Sequence, residues 1–185
     1  NPSAHKNTSI DTNIESPSYR AVIKPLADTK TWLFVPATRI DRIEKAFASG
    51  ADAVIVDLED AVAQADKAQA RAALKAYYAA EHEAQSYRPF WLRINQASSA
   101  EFAKDLALCQ QLPKLAGVLL AKAEQAADIE KVNQETGLPV IAVIENAIGL
   151  YRANDMAKAR GMAAFSYGFL DLCNDLQVQV GTASA

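Results

Sequence analysis

Charged residues in this sequence stand where short apolar runs stop. Val54-Ile55-Val56 leads into Asp57-Leu58-Glu59-Asp60, and Trp91-Leu92 leads to Arg93 and then Asn95. Gly117–Ala121 is followed by Lys122 and Glu124, Val140–Ile144 by Glu145, and Ala163–Tyr167 by Asp171 and, a helical turn later, Asp175. A charge beside an apolar run is costly to bury unless it is paired or bound to a metal. Any one of these residues alone reads most simply as a solvated loop residue or a strand-end ion pair. Five successive run ends that carry such groups make a polar rim, and the rim is the candidate site.

The residue types narrow its chemistry. Glu145 and Asp171 offer hard oxygen ligands, too few for an all-protein calcium cage. Two carboxylates completed by waters and a chelating substrate is how magnesium is usually held. Arg93 adds a fixed fork of donors suited to a carboxylate or a developing enolate. Glu59 and Asp60 are placed to anchor waters or arginines around them. Other chemistries lack their residues: His5 falls in a polar leader and His82 in a helical segment, so a His-based triad or zinc site is not expected. No G-x-S-x-G elbow, G-x-G-x-x-G turn or P-loop occurs.

The elements that must position the rim alternate in type. Six apolar runs (Trp32–Pro36, Ala53–Leu58, Phe90–Ile94, Gly117–Ala121, Val140–Ile144 and Ala163–Tyr167) predict strands buried on both faces. Between them, Asp41–Ser49 closes at Gly50, and Asp66–Ala84 is rich in good helix formers. Ser98 or Ser99 caps a segment through Leu112 that Pro113 ends; Asp128–Thr136 stops at Gly137, and Asn146–Arg160 at Gly161. Six β/α units in series imply a parallel sheet with right-handed crossovers. An open doubly wound sheet and a (β/α)8 TIM barrel both satisfy that pattern, and the missing Gly-rich turn after the first strand favours the barrel. Six units do not close eight strands, so the expectation is a TIM barrel with only about its first six units in this sequence, the last two being absent.

Composition agrees with one globular domain over residues 25–185, preceded by a polar, loosely packed leader over 1–24. With 19 basic and 22 acidic residues the net charge is −3, which argues against non-specific nucleic-acid binding. No apolar run is long enough to span a bilayer and the leader carries no secretory signal, so the expected setting is cytoplasmic. Cys109 and Cys173 lack metal-ligand spacing and are expected as buried free thiols.

The stretch TWLFVPATRIDRIEKAFASGADAVIVDLEDAV, Thr31 to Val62, resembles the first two β/α units of the citrate lyase beta-subunit group of the HpcH/HpaI aldolase family. The similarity continues through Leu92-Arg93-Ile94-Asn95, Leu120-Ala121-Lys122, Ile144-Glu145-Asn146-Ala147-Ile148-Gly149 and Gly168-Phe169-Leu170-Asp171-Leu172, to Asp175-Leu176. What this resemblance implies is a TIM-barrel enzyme that cleaves or forms carbon–carbon bonds in acyl-CoA thioesters with Mg2+. Its substrates would be a 3-hydroxyacyl-CoA such as citryl-, malyl- or citramalyl-CoA, or the acyl-CoA and oxo-acid of the reverse reaction. By the same resemblance Glu145 and Asp171 are metal ligands, and Arg93, Glu59 and Asp60 are catalytic. Arg93, Arg39 and Lys122 bind substrate, and the enzyme is a homo-oligomer, a trimer or hexamer.

Departures from the family pattern are Pro36-Ala37 for Pro-Gly, Leu120-Ala121-Lys122 for Leu-Pro-Lys, and Phe169-Leu170 for the Thr-Glu that commonly precedes the last aspartate. Asp57-Leu58-Glu59-Asp60 sets the chain apart from the pyruvate-aldolase branch, whose second strand ends in a Glu-His pair. Two other functions remain compatible with these residues. A malyl-CoA-type thioesterase would use the same rim to activate water, and a non-catalytic barrel subunit would not use it at all.

Overall fold

The computed structural model describes residues 24–83, 88–112 and 115–179, without the side chains of 81–83. The leader expected over 1–24, His5, the His82 side chain and Pro113 therefore lie outside the described residues, Lys24 excepted. Six strands form: β1 (Trp32–Pro36), β2 (Ala53–Asp57), β3 (Trp91–Ile94), β4 (Gly117–Leu120), β5 (Val140–Ile144) and β6 (Met162–Tyr167). Between and after them come α1 (Ile43–Ala48), α2 (Lys67–Glu83), α3 (Phe102–Cys109), α4 (Ala126–Thr136), α5 (Ala147–Met156) and α6 (Phe169–Asp175).

All five strand pairings are parallel, and the order across the sheet is the order along the chain, β1 to β6. This order decides between the two architectures. A doubly wound sheet reverses direction at a switch point, which puts helices on both faces. Right-handed crossovers that always step the same way put every helix on one face, which is the TIM-barrel arrangement. The sheet is open, as six units require.

Side chains alternate across each strand. Val54, Val56, Leu92, Ile94, Val118, Leu120, Val140, Ala142 and Ile144 turn outward into the main core, against Ile43, Leu74, Leu106, Ile129, Val132 and Met156 of the helices. Burial of each Val, Leu, Ile or Met side chain among them contributes about 1.5–3 kcal/mol. Ile55, Trp91, Leu119, Ile141 and Val143 turn to the inner face, where Trp32 and Trp91 meet edge-to-face at 5.5 Å. The edge strands β1 and β6 depart from the two-sided burial expected of them: Leu33 and Phe34 of β1 are exposed, and the residues of β6 alternate between half-buried and exposed.

Helix ends fall where the backbone allows. Gly50, Gly137 and Gly161 all take positive φ, as their places after helical segments predict. The third and fifth helices end earlier than expected, at Cys109 and Met156. In both, the following turn tightens into i to i+3 bonds, Leu112 N to Cys109 O and Ala159 N to Met156 O. No helix among the described residues is long and apolar enough to cross a membrane.

Candidate active site

The carboxyl ends of β2 to β6 converge on one polar rim. Asp57 and Arg93 are register partners on neighbouring parallel strands, so their side chains leave the sheet on the same side. Arg93 Nε donates to Asp57 Oδ1 at 2.8 Å and its Nη2 to Oδ2 at 2.6 Å, a two-pronged pair. Asp57 is 1% exposed and also accepts from the backbone N–H groups of Glu59 (2.8 Å) and Ala61 (3.2 Å). It therefore orients the arginine and shapes the loop that follows β2. Arg93 Nη1 remains, 3.4 Å from Glu59 Oε2, and the guanidinium lies 5.1 Å from the centre of the Phe34 ring.

Lys122 follows β4 in a left-handed backbone conformation, φ 46°, which is unfavourable for a side chain with a Cβ. The turn aims both of its nitrogens at carboxylates. Its N–H donates to Glu145 Oε1 at 3.1 Å, and its ammonium donates to Glu59 Oε1 and, at 3.2 Å, to Asp60 Oδ2. Burial pushes the Glu59 carboxyl above its ordinary value, an effect that Lys122 and Arg93 only partly offset. For Asp60 burial is outweighed by its hydrogen bonds with Glu59 and Lys122, and the carboxyl is held below its ordinary value.

Glu145, at the end of β5, is 4% exposed. Burial pushes its carboxyl up to about 7, against the pull of the Lys122 N–H and ammonium and with further push from Glu59 and Asp171. A buried carboxyl so short of compensation is the kind of group that a cation completes. Asp60 and Asp171 stand around it, and one oxygen from each of the three carboxylates lies within 4.8 Å of the others. The local fold holds Glu145 in place. Asn146 caps α5, its Oδ1 accepting from Gly149 N at 2.7 Å and its amide donating to Glu124 Oε1 at 2.9 Å. Asp175 Oδ2 accepts from Ala147 N at 2.7 Å and ties α6 to the same helix start.

The structure thus brings Glu59, Asp60, Arg93, Lys122, Glu145 and Asp171 into one rim. Glu59 and Asp60 share Lys122 but differ in their other neighbours: Asp60 also stands with Glu145 and Asp171, and Glu59 with Arg93. Arg39 is engaged elsewhere, in an exposed two-pronged pair with Asp41 (2.9 and 2.8 Å). Asp57 was given no role from sequence, although an acid and an arginine ending adjacent strands signal a pair. Cys109 and Cys173 are buried and free, as expected.

Comparison with known proteins follows this geometry. The family model for HpcH/HpaI aldolase/citrate lyase matches residues 30–183. A citrate lyase subunit beta-like protein of Deinococcus radiodurans is 33% identical over 159 residues, 82% of this chain and 55% of the relative. A (3S)-malyl-CoA thioesterase of Cereibacter sphaeroides is 32% identical over 145 residues, 78% of this chain and 50% of the relative. The crystal structure of CitE from Mycobacterium tuberculosis, in complex with magnesium, acetoacetate and coenzyme A, superposes with a TM-score of 0.69 at 35% identity. It matches over 83% of this chain and 54% of that one. The chain spans about half the length of the curated relatives it matches.

Proposed function

This chain belongs to the HpcH/HpaI aldolase/citrate lyase family, and from that premise we propose that it carries the metal-binding rim of a carbon–carbon lyase for 3-hydroxyacyl-CoA thioesters. The citryl-, malyl- and citramalyl-CoA type is the substrate class meant. One observation carries the reading: Asp60, Glu145 and Asp171 bring carboxylate oxygens from three β/α units within 4.8 Å of one another. Three carboxylates without sulfur or imidazole suit a hard divalent cation, and the Mycobacterium tuberculosis neighbour holds magnesium.

In this reading Asp60, Glu145 and Asp171 hold Mg2+, which when bound supplies Lewis-acid polarisation of the oxygens of the substrate's acid portion. The chain's own residues do the rest. Arg93, locked by Asp57, presents fixed positive charge where the enolate oxygen of the departing thioester develops. Glu59, whose proton affinity burial raises, accepts the hydroxyl proton of the substrate, and Lys122 holds its carboxylate in place. Loss of that proton lets the carbon–carbon bond break. Its electron pair leaves with the acyl-CoA portion as an enolate, and return of the proton to carbon yields an acyl-CoA and an oxo-acid. Lys122 is a further cation assigned to substrate, and Arg39 would join it only by leaving its exposed pair with Asp41.

A thioesterase is the second reading, favoured by the similarity to the Cereibacter sphaeroides malyl-CoA thioesterase. A product assay on malyl-CoA with Mg2+ tests both. Glyoxylate with acetyl-CoA supports the lyase, malate with free CoA supports the thioesterase, and unchanged substrate removes both.

A further inference from the structure

Behind the rim lies a buried amine that the proposed chemistry does not use. Lys67, the first residue of α2, is 7% exposed. Its ammonium donates to the carbonyl oxygens of Leu58 at 2.7 Å and Glu59 at 2.9 Å, and among the described residues it makes no salt bridge. A buried cation without a carboxylate is costly, so its place here calls for a compensating role.

Peptide geometry supplies one. In a planar trans peptide the carbonyl and the following N–H point in opposite directions. Leu58 C=O shares a peptide plane with Glu59 N–H, and Glu59 C=O with Asp60 N–H. Lys67 draws both carbonyls towards α2 and thereby turns both N–H groups towards the rim. Glu59 N–H there donates to Asp57 Oδ1 at 2.8 Å, and Asp60 N–H to Glu59 Oε2 at 2.9 Å. A relay braces the same point from β3. Asn95 Nδ2 donates to Leu58 O at 3.2 Å and to Asp105 Oδ2 at 2.6 Å, and Arg71 holds Asp105 Oδ1 at 2.9 Å.

We infer that Lys67 is a positioning residue: by holding the Leu58 and Glu59 carbonyls it aims the Glu59 and Asp60 carboxylates at the rim and so sets its magnesium affinity. This rests on the reading of the rim as a magnesium site.

The test measures magnesium binding by calorimetry and amide hydrogen exchange at Glu59 and Asp60 on the full chain. The variants are Lys67→Met, Lys67→Arg, the site variant Glu145→Gln, and Val132→Ala, a core truncation on α4 that serves as a stability control. Lys67→Gln, which keeps a neutral amide NH2 on a shorter side chain, replaces Lys67→Met if the latter does not fold. The expected result is magnesium binding about 10- to 100-fold weaker in Lys67→Met, with faster exchange at Glu59 and Asp60, recovery towards wild type in Lys67→Arg, and unchanged affinity in Val132→Ala. Wild-type affinity in Lys67→Met, or an equal loss in Val132→Ala, overturns the inference while the metal site stands, as shown by loss of binding in Glu145→Gln. If the wild type binds no magnesium, the proposed function fails. The positioning role then stands on faster exchange in Lys67→Met alone among the variants, and falls if that exchange is unchanged.

Discussion

Gly168 lets the Glu145 side chain pass directly over its Cα: a methyl group there would lie 2.5 Å from Glu145 Cγ and 2.9 Å from Oε2. The φ of Gly168 is −87°, so the absence of a side chain, not a left-handed backbone, is what this position requires.

Gly168→Ala is therefore expected to push Glu145 out of place. Overpacking of this kind costs about 1–3 kcal/mol of stability, and if Glu145 is a ligand of the proposed magnesium site its displacement is expected to weaken metal affinity about 10- to 100-fold. Thermal melts and magnesium calorimetry on the variant check both numbers. An unchanged affinity would mean that Glu145 does not contact the ion.

The raised Glu145 carboxyl sets a pH dependence with a definite sign. Its value in the folded chain is about 7 against an ordinary 4.5, so between those limits the folded state binds more protons than the unfolded one. Without metal this group favours folding most at low pH, and its contribution is lost as pH rises from 4.5 towards 7. At the proposed site magnesium would compete with that proton, so its affinity is expected to rise over the same window. Comparing wild type with Glu145→Gln in melts from pH 5 to pH 8, with and without magnesium, isolates the contribution. Parallel curves would contradict it.

Asp57→Asn removes the partner of a mostly buried guanidinium. Breaking such a pair costs about 3–5 kcal/mol when fully buried, and the lower end applies because Arg93 keeps 15% of its side-chain exposure. Denaturant unfolding measures the loss. The Asp57→Asn variant is also expected to lose activity on a 3-hydroxyacyl-CoA, since Arg93 then loses its two-pronged carboxylate partner and keeps only the longer contact with Glu59 and the Phe34 ring.

Cys109 is expected to be inert. Burial, with added push from Asp105, raises its thiol to about 12, so almost no thiolate exists at pH 8. An aromatic disulfide reagent should label Cys109 only at the rate of unfolding, and prompt labelling of the native chain would show the core around α3 to be open.

Much of this fold was legible because each strand is a short apolar run and five of the six, β2 to β6, have a charge at or just beyond their end, so the strands and the rim were announced together. The distinction between neighbours was not. Glu59 and Asp60 are adjacent in sequence and share Lys122, yet only Asp60 joins the carboxylate trio. The loop that carries both is held by contacts of Lys67 and Asn95 with the Leu58 carbonyl, made by residues up to 37 positions away. The pairing of Asp57 with Arg93 needs the β2–β3 register, which periodicity alone does not supply. The left-handed turn at Lys122 likewise has no glycine to announce it.

The proposed magnesium site of Asp60, Glu145 and Asp171 is tested most directly by calorimetric titration of magnesium into the wild-type chain and into Asp171→Asn, with circular dichroism confirming an unchanged fold. One binding event in the wild type that weakens at least about tenfold in the variant is the expected result, and superimposable isotherms would contradict it.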